Sequence, residues 1–136
     1  DRTLPLRLPL FENEEDAQGT LHQDWYGTRD YTEVQVQVRP LDDVLAERKV
    51  DRLRLWKIDV EGWEVQALQG AARSLGDRRV DAMYIELHPD NVEAVQALLS
   101  ANGYSPWHFA GPGQLAPGIG PGIHWHNVLT LPSGAA

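Results

Sequence analysis

The chain has 136 residues, 42% of them hydrophobic and 24% charged, which suits one soluble globular domain with a modest core. A formal net charge of −8 argues against a binder of nucleic-acid backbone, and the absence of cysteine excludes disulfides, thiolate metal sites and thiol catalysis. No apolar run approaches the roughly 20 residues that cross a bilayer, and "DRTLPLRLPLF" lacks a signal-peptide layout, so a cytoplasmic protein is expected.

In chain order, "LRLPLF" (6–11) has strand character, and Pro9 within it, with Pro5 just before it, suits an edge or entry strand. Residues 12–30 are acidic, polar and turn-rich, and read as an exposed loop. "YTEVQVQVRP" alternates Val34, Val36 and Val38 with Glu33, Gln35 and Gln37, the pattern of a half-buried strand. Pro40 opens a short helix with Leu41, Val44 and Leu45 at helical spacing and Asp42 and Asp43 in its first turn.

"LRLWKIDV" (53–60) follows as a strand, and "GWEVQALQGAARSLGD" (62–77) as one helix ended near Gly76. "VDAMYIELHP" (80–89) is a second apolar strand stopped by Pro89. Asp90 with Glu93 spells a capping box for a helix burying Val92, Val95, Leu98 and Leu99, and Asn102-Gly103 closes it. "SPWHF" (105–109) reads as a strand and "AGPGQLAPGIGPG" (110–122) as a loop, with "HWHNVLTLP" (124–132) as the last strand. The alternation from Leu53 onward predicts an α/β fold with a parallel sheet, its central strands covered on both faces.

Ligands of open α/β sheets bind beyond the carboxyl ends of the strands. Asp59 and Glu61 fall at that end of one central strand, and Glu86 and His88 at that end of the next. Residues two apart on a strand share a face, so the spacing pairs Asp59 with Glu61 and Glu86 with His88. The plainer alternative is that these acids hydrogen-bond loop amides or cap the next helix. Trp63 directly follows the acid-glycine turn, where it lines a pocket or simply packs, while Trp56 reads as core. His124 and His126 form an H-x-H pair with no third metal ligand fixed by the sequence, so no metal site is assigned. No complete phosphate cradle is encoded.

Together, "PLDDVL", "KIDVEGWEVQALQGA", "MYIELHP" and "NVLTLP" resemble the C-terminal half of FkbM-type S-adenosylmethionine-dependent methyltransferases. The matching positions are Leu41-Asp42-Asp43, Lys57 to Gly62, Glu64, Leu68, Gly70-Ala71 and Ile85-Glu86. "QGTLHQ" stands where the family has a Gly-Thr/Ser-Ser-Leu loop, with a departure at His22. The resemblance spans residues 6–132 and implies a Rossmann-like methyltransferase sheet. This chain would supply about its fourth to seventh strands, with an N-terminal β insertion. The N-terminal half, with its glycine-rich cofactor loop, is absent from the chain. A fragment of a longer enzyme, or a chain completed by the missing half or by a homo-oligomer partner, is therefore expected.

The implied reaction is O-methylation of a hydroxyl on a natural product or sugar-like small-molecule acceptor, with S-adenosylmethionine as cofactor. In that scheme Asp59 lies nearest the cofactor and His88 is the base. Glu61 and Glu86 assist catalysis, and Glu61 and Trp63 meet the substrate. Two competing readings are a non-catalytic partial-fold interaction subunit and a metal-dependent hydrolase using Asp59, Glu61, Glu86 and His88.

Overall fold

A computed structural model describes residues 2–9, 19–21, 31–121 and 126–134. Two alternating segments build the first unit: β1 (Arg2–Pro9) and β2 (Tyr31–Val38) pair antiparallel from Arg2↔Val38 to Pro9↔Tyr31. Arg7 ties the strands together, with Nε 3.0 Å from Glu33 Oε1 and its guanidinium 4.6 Å from the centre of the Tyr31 ring. The valine face is less covered than its alternation predicts, since Val34 is 41% exposed and Val36 and Val38 are half-buried. Most of the expected loop 12–30 lies outside the described residues, but Thr20 forms a two-bond antiparallel bridge with Arg7.

Pro40 opens α1 (Leu41–Glu47) as expected, with φ −57° already preset for the first turn and Asp42 and Asp43 following it. Asp42 has a second task that sequence spacing does not show. Its carboxylate accepts hydrogen bonds from the backbone N–H of Arg73 (2.8 Å) and Ser74 (3.0 Å) and from the Ser74 hydroxyl. These bonds cap a new helix. The predicted single helix over 62–77 is therefore two, α2 (Glu64–Gln69) and α3 (Ala72–Gly76). At the break, the Asp42 N–H donates to the Gly70 carbonyl at 3.0 Å. A Cβ on Gly70 would stand 3.3 Å from the Pro40 Cα, so glycine permits this close approach.

The strand expected over 53–60 shortens to β3 (Trp56–Ile58), with Leu53 reaching Val80 through an isolated parallel bridge. Next comes β4 (Met83–Leu87), then a 3₁₀ turn (Pro89–Asn91) and α4 (Val92–Ala101). The capping box does not form. Asp90 instead donates its N–H to His88 Nδ1 at 3.2 Å, and Asn91 at the helix start directs its side chain to α2 and the turn before it. Gly103, at φ +73°, follows α4 and turns the chain into β5.

The supposed loop over 110–122 is a second correction. β5 runs over Tyr104–Gly111, turns through Pro112-Gly113 with Gly113 at φ +70°, and returns as β6 (Gln114–Pro117). Prolines are compatible with an edge strand, so their presence did not exclude one. Ile119, just beyond β6, is buried in the core.

β7 (His126–Pro132) lies between β4 and β5, antiparallel to both, giving the order β3-β4-β7-β5-β6. The sheet is therefore mixed. The only parallel pair among the described residues is β3 with β4, and this pair has helices in its connection, as parallel pairing requires. The expectation of strands covered on both faces also fails. Met83, Ile85 and Leu87 of β4 are fully buried, whereas Tyr84 and Glu86 between them are half-buried. The buried face packs with Leu68, Leu75, Val95 and Leu99 of the helices and with Ile58, Tyr104 and Val128 of the sheet.

Candidate active site

The carboxyl end of β3 leads directly into a strained turn. Glu61 has φ +45°, a conformation unfavourable for a residue with a Cβ, and Gly62 follows at φ +94°. This geometry changes the relation predicted for the two acids. Asp59 turns back to form an ion pair with Lys57, its i−2 neighbour, while Glu61 is carried by the turn.

The acids nevertheless share one electrostatic environment. Burial raises the Glu61 carboxyl above the ordinary glutamate range, and the negative charges of Asp59, Glu86 and Glu64 add to the shift. The parallel register Ile58↔Ile85 likewise sets the chain leaving β3 beside Glu86 near the end of β4. Glu86 is half-buried on β4 opposite Asn127 of β7. His88 lies one residue past β4 at the head of the 3₁₀ turn, where its Nδ1 accepts from the Asp90 N–H and stands 3.7 Å from Asp90 Oδ2.

Glu64 is the residue whose structural importance sequence reasoning missed, although it belongs to the motif. It is fully buried in the first turn of α2. Its Oε1 accepts from the Gly62 N–H at 2.9 Å, and its Oε2 accepts from Asn91 Nδ2. Asn91 Nδ2 also donates to the Gly62 carbonyl at 2.9 Å. A buried carboxylate with these donors meets the requirement that buried polar groups be hydrogen-bonded. Thr20, from the "QGTLHQ" segment, is also buried and donates its hydroxyl to the Glu61 carbonyl at 2.8 Å.

Trp63 is half-buried and lines a groove of about 610 Å³ with Trp56, Val60, Leu41, Val44 and Leu4. Because Val60 and Trp63 flank the Glu61-Gly62 turn in sequence, this apolar groove adjoins the acidic rim. His126 is buried in β7, and His124 lies outside the described residues. Among the described residues, no group of three or more histidines and acids is arranged to hold a metal ion.

A mixed α/β domain thus presents acids from two adjacent parallel strands at the rim where such folds take ligands. The FkbM methyltransferase domain model matches residues 7–106, which cover most of the chain. The chain belongs to that family, and its domain is a methyltransferase domain. Comparison with curated proteins and with solved structures gave no match. No helix among the described residues is long and apolar enough to cross a membrane.

Proposed function

We propose that the rim formed by Asp59, Glu61, Glu86 and His88 belongs to the active site of an S-adenosylmethionine-dependent O-methyltransferase. The acceptor is a hydroxyl group on a small natural product or sugar-like molecule. The observation that carries this reading is the convergence of the β3 and β4 carboxyl ends on Glu61 in a chain of the methyltransferase family. The parallel β3–β4 pair supports placing these strands within a Rossmann-like methyltransferase sheet.

The donor set suits the cofactor in charge: S-adenosylmethionine carries a sulfonium cation, and the rim is acidic. When bound, the cofactor supplies an activated methyl group. Asp59 is the residue assigned to hold it. Glu61 and Glu86 position the acceptor hydroxyl, and this orientation lowers the barrier by removing the entropy cost of alignment. Glu61 is a second candidate for the base beside His88. The Asp90 N–H occupies His88 Nδ1, so a neutral ring in that arrangement carries its proton on Nε2 and presents a donor. Burial raises the Glu61 carboxyl, which matches it to accepting the hydroxyl proton better than an ordinary glutamate. Trp63 supplies an apolar wall beside the turn.

Titrating S-adenosylmethionine into the isotope-labelled protein tests this reading. The amides of Asp59, Glu61 and Trp63 are expected to shift together; saturating ligand that leaves all three unmoved overturns it. The end position of β3 in the sheet and the apolar groove beside it favour a second reading, a partial-fold subunit completed by a partner chain. That reading predicts no shifts until the partner is added.

A further inference from the structure

The Glu61-Gly62 turn adopts left-handed backbone at both residues, which glycine tolerates and glutamate does not. Such a conformation persists only where surrounding groups over-determine it. Three side chains do so here, two of them from segments distant in sequence. Thr20 Oγ1 holds the Glu61 carbonyl at 2.8 Å, Asn91 Nδ2 holds the Gly62 carbonyl at 2.9 Å, and Glu64 Oε1 receives the Gly62 N–H at 2.9 Å. Asn91 and Glu64 also bond to each other, so the start of α2 and the turn before α4 act as one bracket. Thr20 is fastened in turn to β1, through paired backbone bonds with Arg7 of 2.8 and 3.0 Å.

We propose that Thr20, Glu64 and Asn91 are positioning residues: together they clamp the Glu61-Gly62 turn and fix the Glu61 carboxylate at the rim for the acceptor hydroxyl. The role given to Glu61 rests on the methyltransferase reading, whereas the clamp itself rests on geometry alone. A helix that needed only a start signal would not require a threonine from residues 19–21 against its preceding turn. Nor would stability alone favour glutamate at position 61, where glycine fits the backbone better.

The test follows the Glu61 side-chain carboxyl by NMR pH titration in the whole chain. Thr20→Val and Asn91→Ala exchange neutral groups for neutral groups, so they move the Glu61 midpoint only by moving Glu61 or its surroundings. Both are expected to bring the raised midpoint back toward ordinary glutamate and to shift the 61 and 62 amides. Thr20→Ser, which keeps the hydroxyl, is expected to retain the wild-type midpoint. If either variant fails to fold, the other still carries the test, and an unchanged midpoint in a folded variant overturns the clamp. Glu61→Gly reads the strain independently: its melting temperature rises if the turn is held against its preference, and a fall contradicts that.

Under turnover, Thr20→Val should lower kcat about tenfold or more with the KM for S-adenosylmethionine unchanged. A displaced midpoint with unchanged kcat overturns the functional role while leaving the clamp standing. An enzyme that binds no methyl donor, yet shows the titration shifts, sinks the methyltransferase reading alone.

Discussion

The two ends of the β3–β4 pair treat charge in opposite ways. At the amino end, Arg52 and Arg54 both contact Asp81, with Arg52 Nε at 2.6 Å and Arg54 Nη1 at 3.0 Å. Arg79 beside them donates to the carbonyls of Val50 and Asp51 at 2.9 and 2.6 Å. The Arg52 hydrogen bond holds the Asp81 carboxyl below the usual range, and the charges of both arginines contribute. At the carboxyl end, Asp59 has Lys57, but Glu61 sits among acids and its carboxyl is pushed up. One rim is neutralised and the other is left with excess negative charge. Matched charges on a surface need no function to explain them; mutually repelling ones held by a strained turn mark the rim proposed here as the active site.

The largest effect expected from disturbing this contrast comes from Glu64. Glu64→Ala removes the acceptor from the buried Gly62 N–H and Asn91 amide, and a loss of about 2–6 kcal/mol follows if each of the two stranded groups costs roughly 1–3 kcal/mol. Urea unfolding measures it; a loss below about 1 kcal/mol would show that the acidic rim does not depend on this bracket.

Asp42 is the paired carboxylate to set against Glu61. Burial alone would raise its carboxyl, but the Ser74 hydroxyl and the amides of Arg73 and Ser74 outweigh it and hold it low. Asp42→Ala should cost about 1–2 kcal/mol as α3 loses its cap. Faster hydrogen exchange at the Arg73 and Ser74 amides would show the loss locally, and unchanged exchange would contradict it.

Glu61 should respond to pH with the opposite sign. Its folded carboxyl binds a proton more tightly than the unfolded one, so ionisation destabilises the fold. That penalty is absent below the ordinary glutamate range, grows across the window up to the raised midpoint and is complete above it. Glu61→Gln is therefore expected to be more stable than wild type at neutral pH, with the gap closing in acid. Melting curves across pH check this, and an equal gap at all pH values would break the comparison.

The smallest effect belongs to the neutralised rim. Asp81→Asn should lower the melting temperature by about 1–2 °C, less at high salt, as exposed ion pairs do. Because the Asp81 carboxyl is lowered, its contribution is present above the ordinary aspartate range and fades as pH falls through the lowered value. A large, salt-independent loss would mean that the amino rim is more than a solvated charge cluster.

Much of the fold was legible because local chemistry set it. Pro40 with its acids marked α1, the apolar run around Ile85 marked β4, and the spacing of Val95 and Leu99 marked the buried face of α4. The candidate site was proposed from the sequence too, since the α/β order alone sends Asp59, Glu61, Glu86 and His88 toward one rim, and the parallel β3–β4 register sets the first three near one another. The β5–β6 hairpin was hidden because its glycines and prolines resemble a loop until β5 offers them an edge. The clamp was hidden because its members lie at positions 20, 64 and 91, and no local period joins them.

By itself, then, the sequence determined the start of α1, the apolar run of β4, the acidic motif and the family resemblance, all of which depend on residues near one another in the chain. Only the tertiary structure decided that β7 enters antiparallel between β4 and β5, and that Asp42 caps a helix some thirty residues away. It likewise decided that Glu61 stands in left-handed backbone under three hydrogen bonds that hold its turn. The physical reason is common to all three. Each depends on hydrogen bonds between segments far apart in the chain, whose partners meet only after it has packed, even though the Gly62–Glu64 bond within the clamp is local.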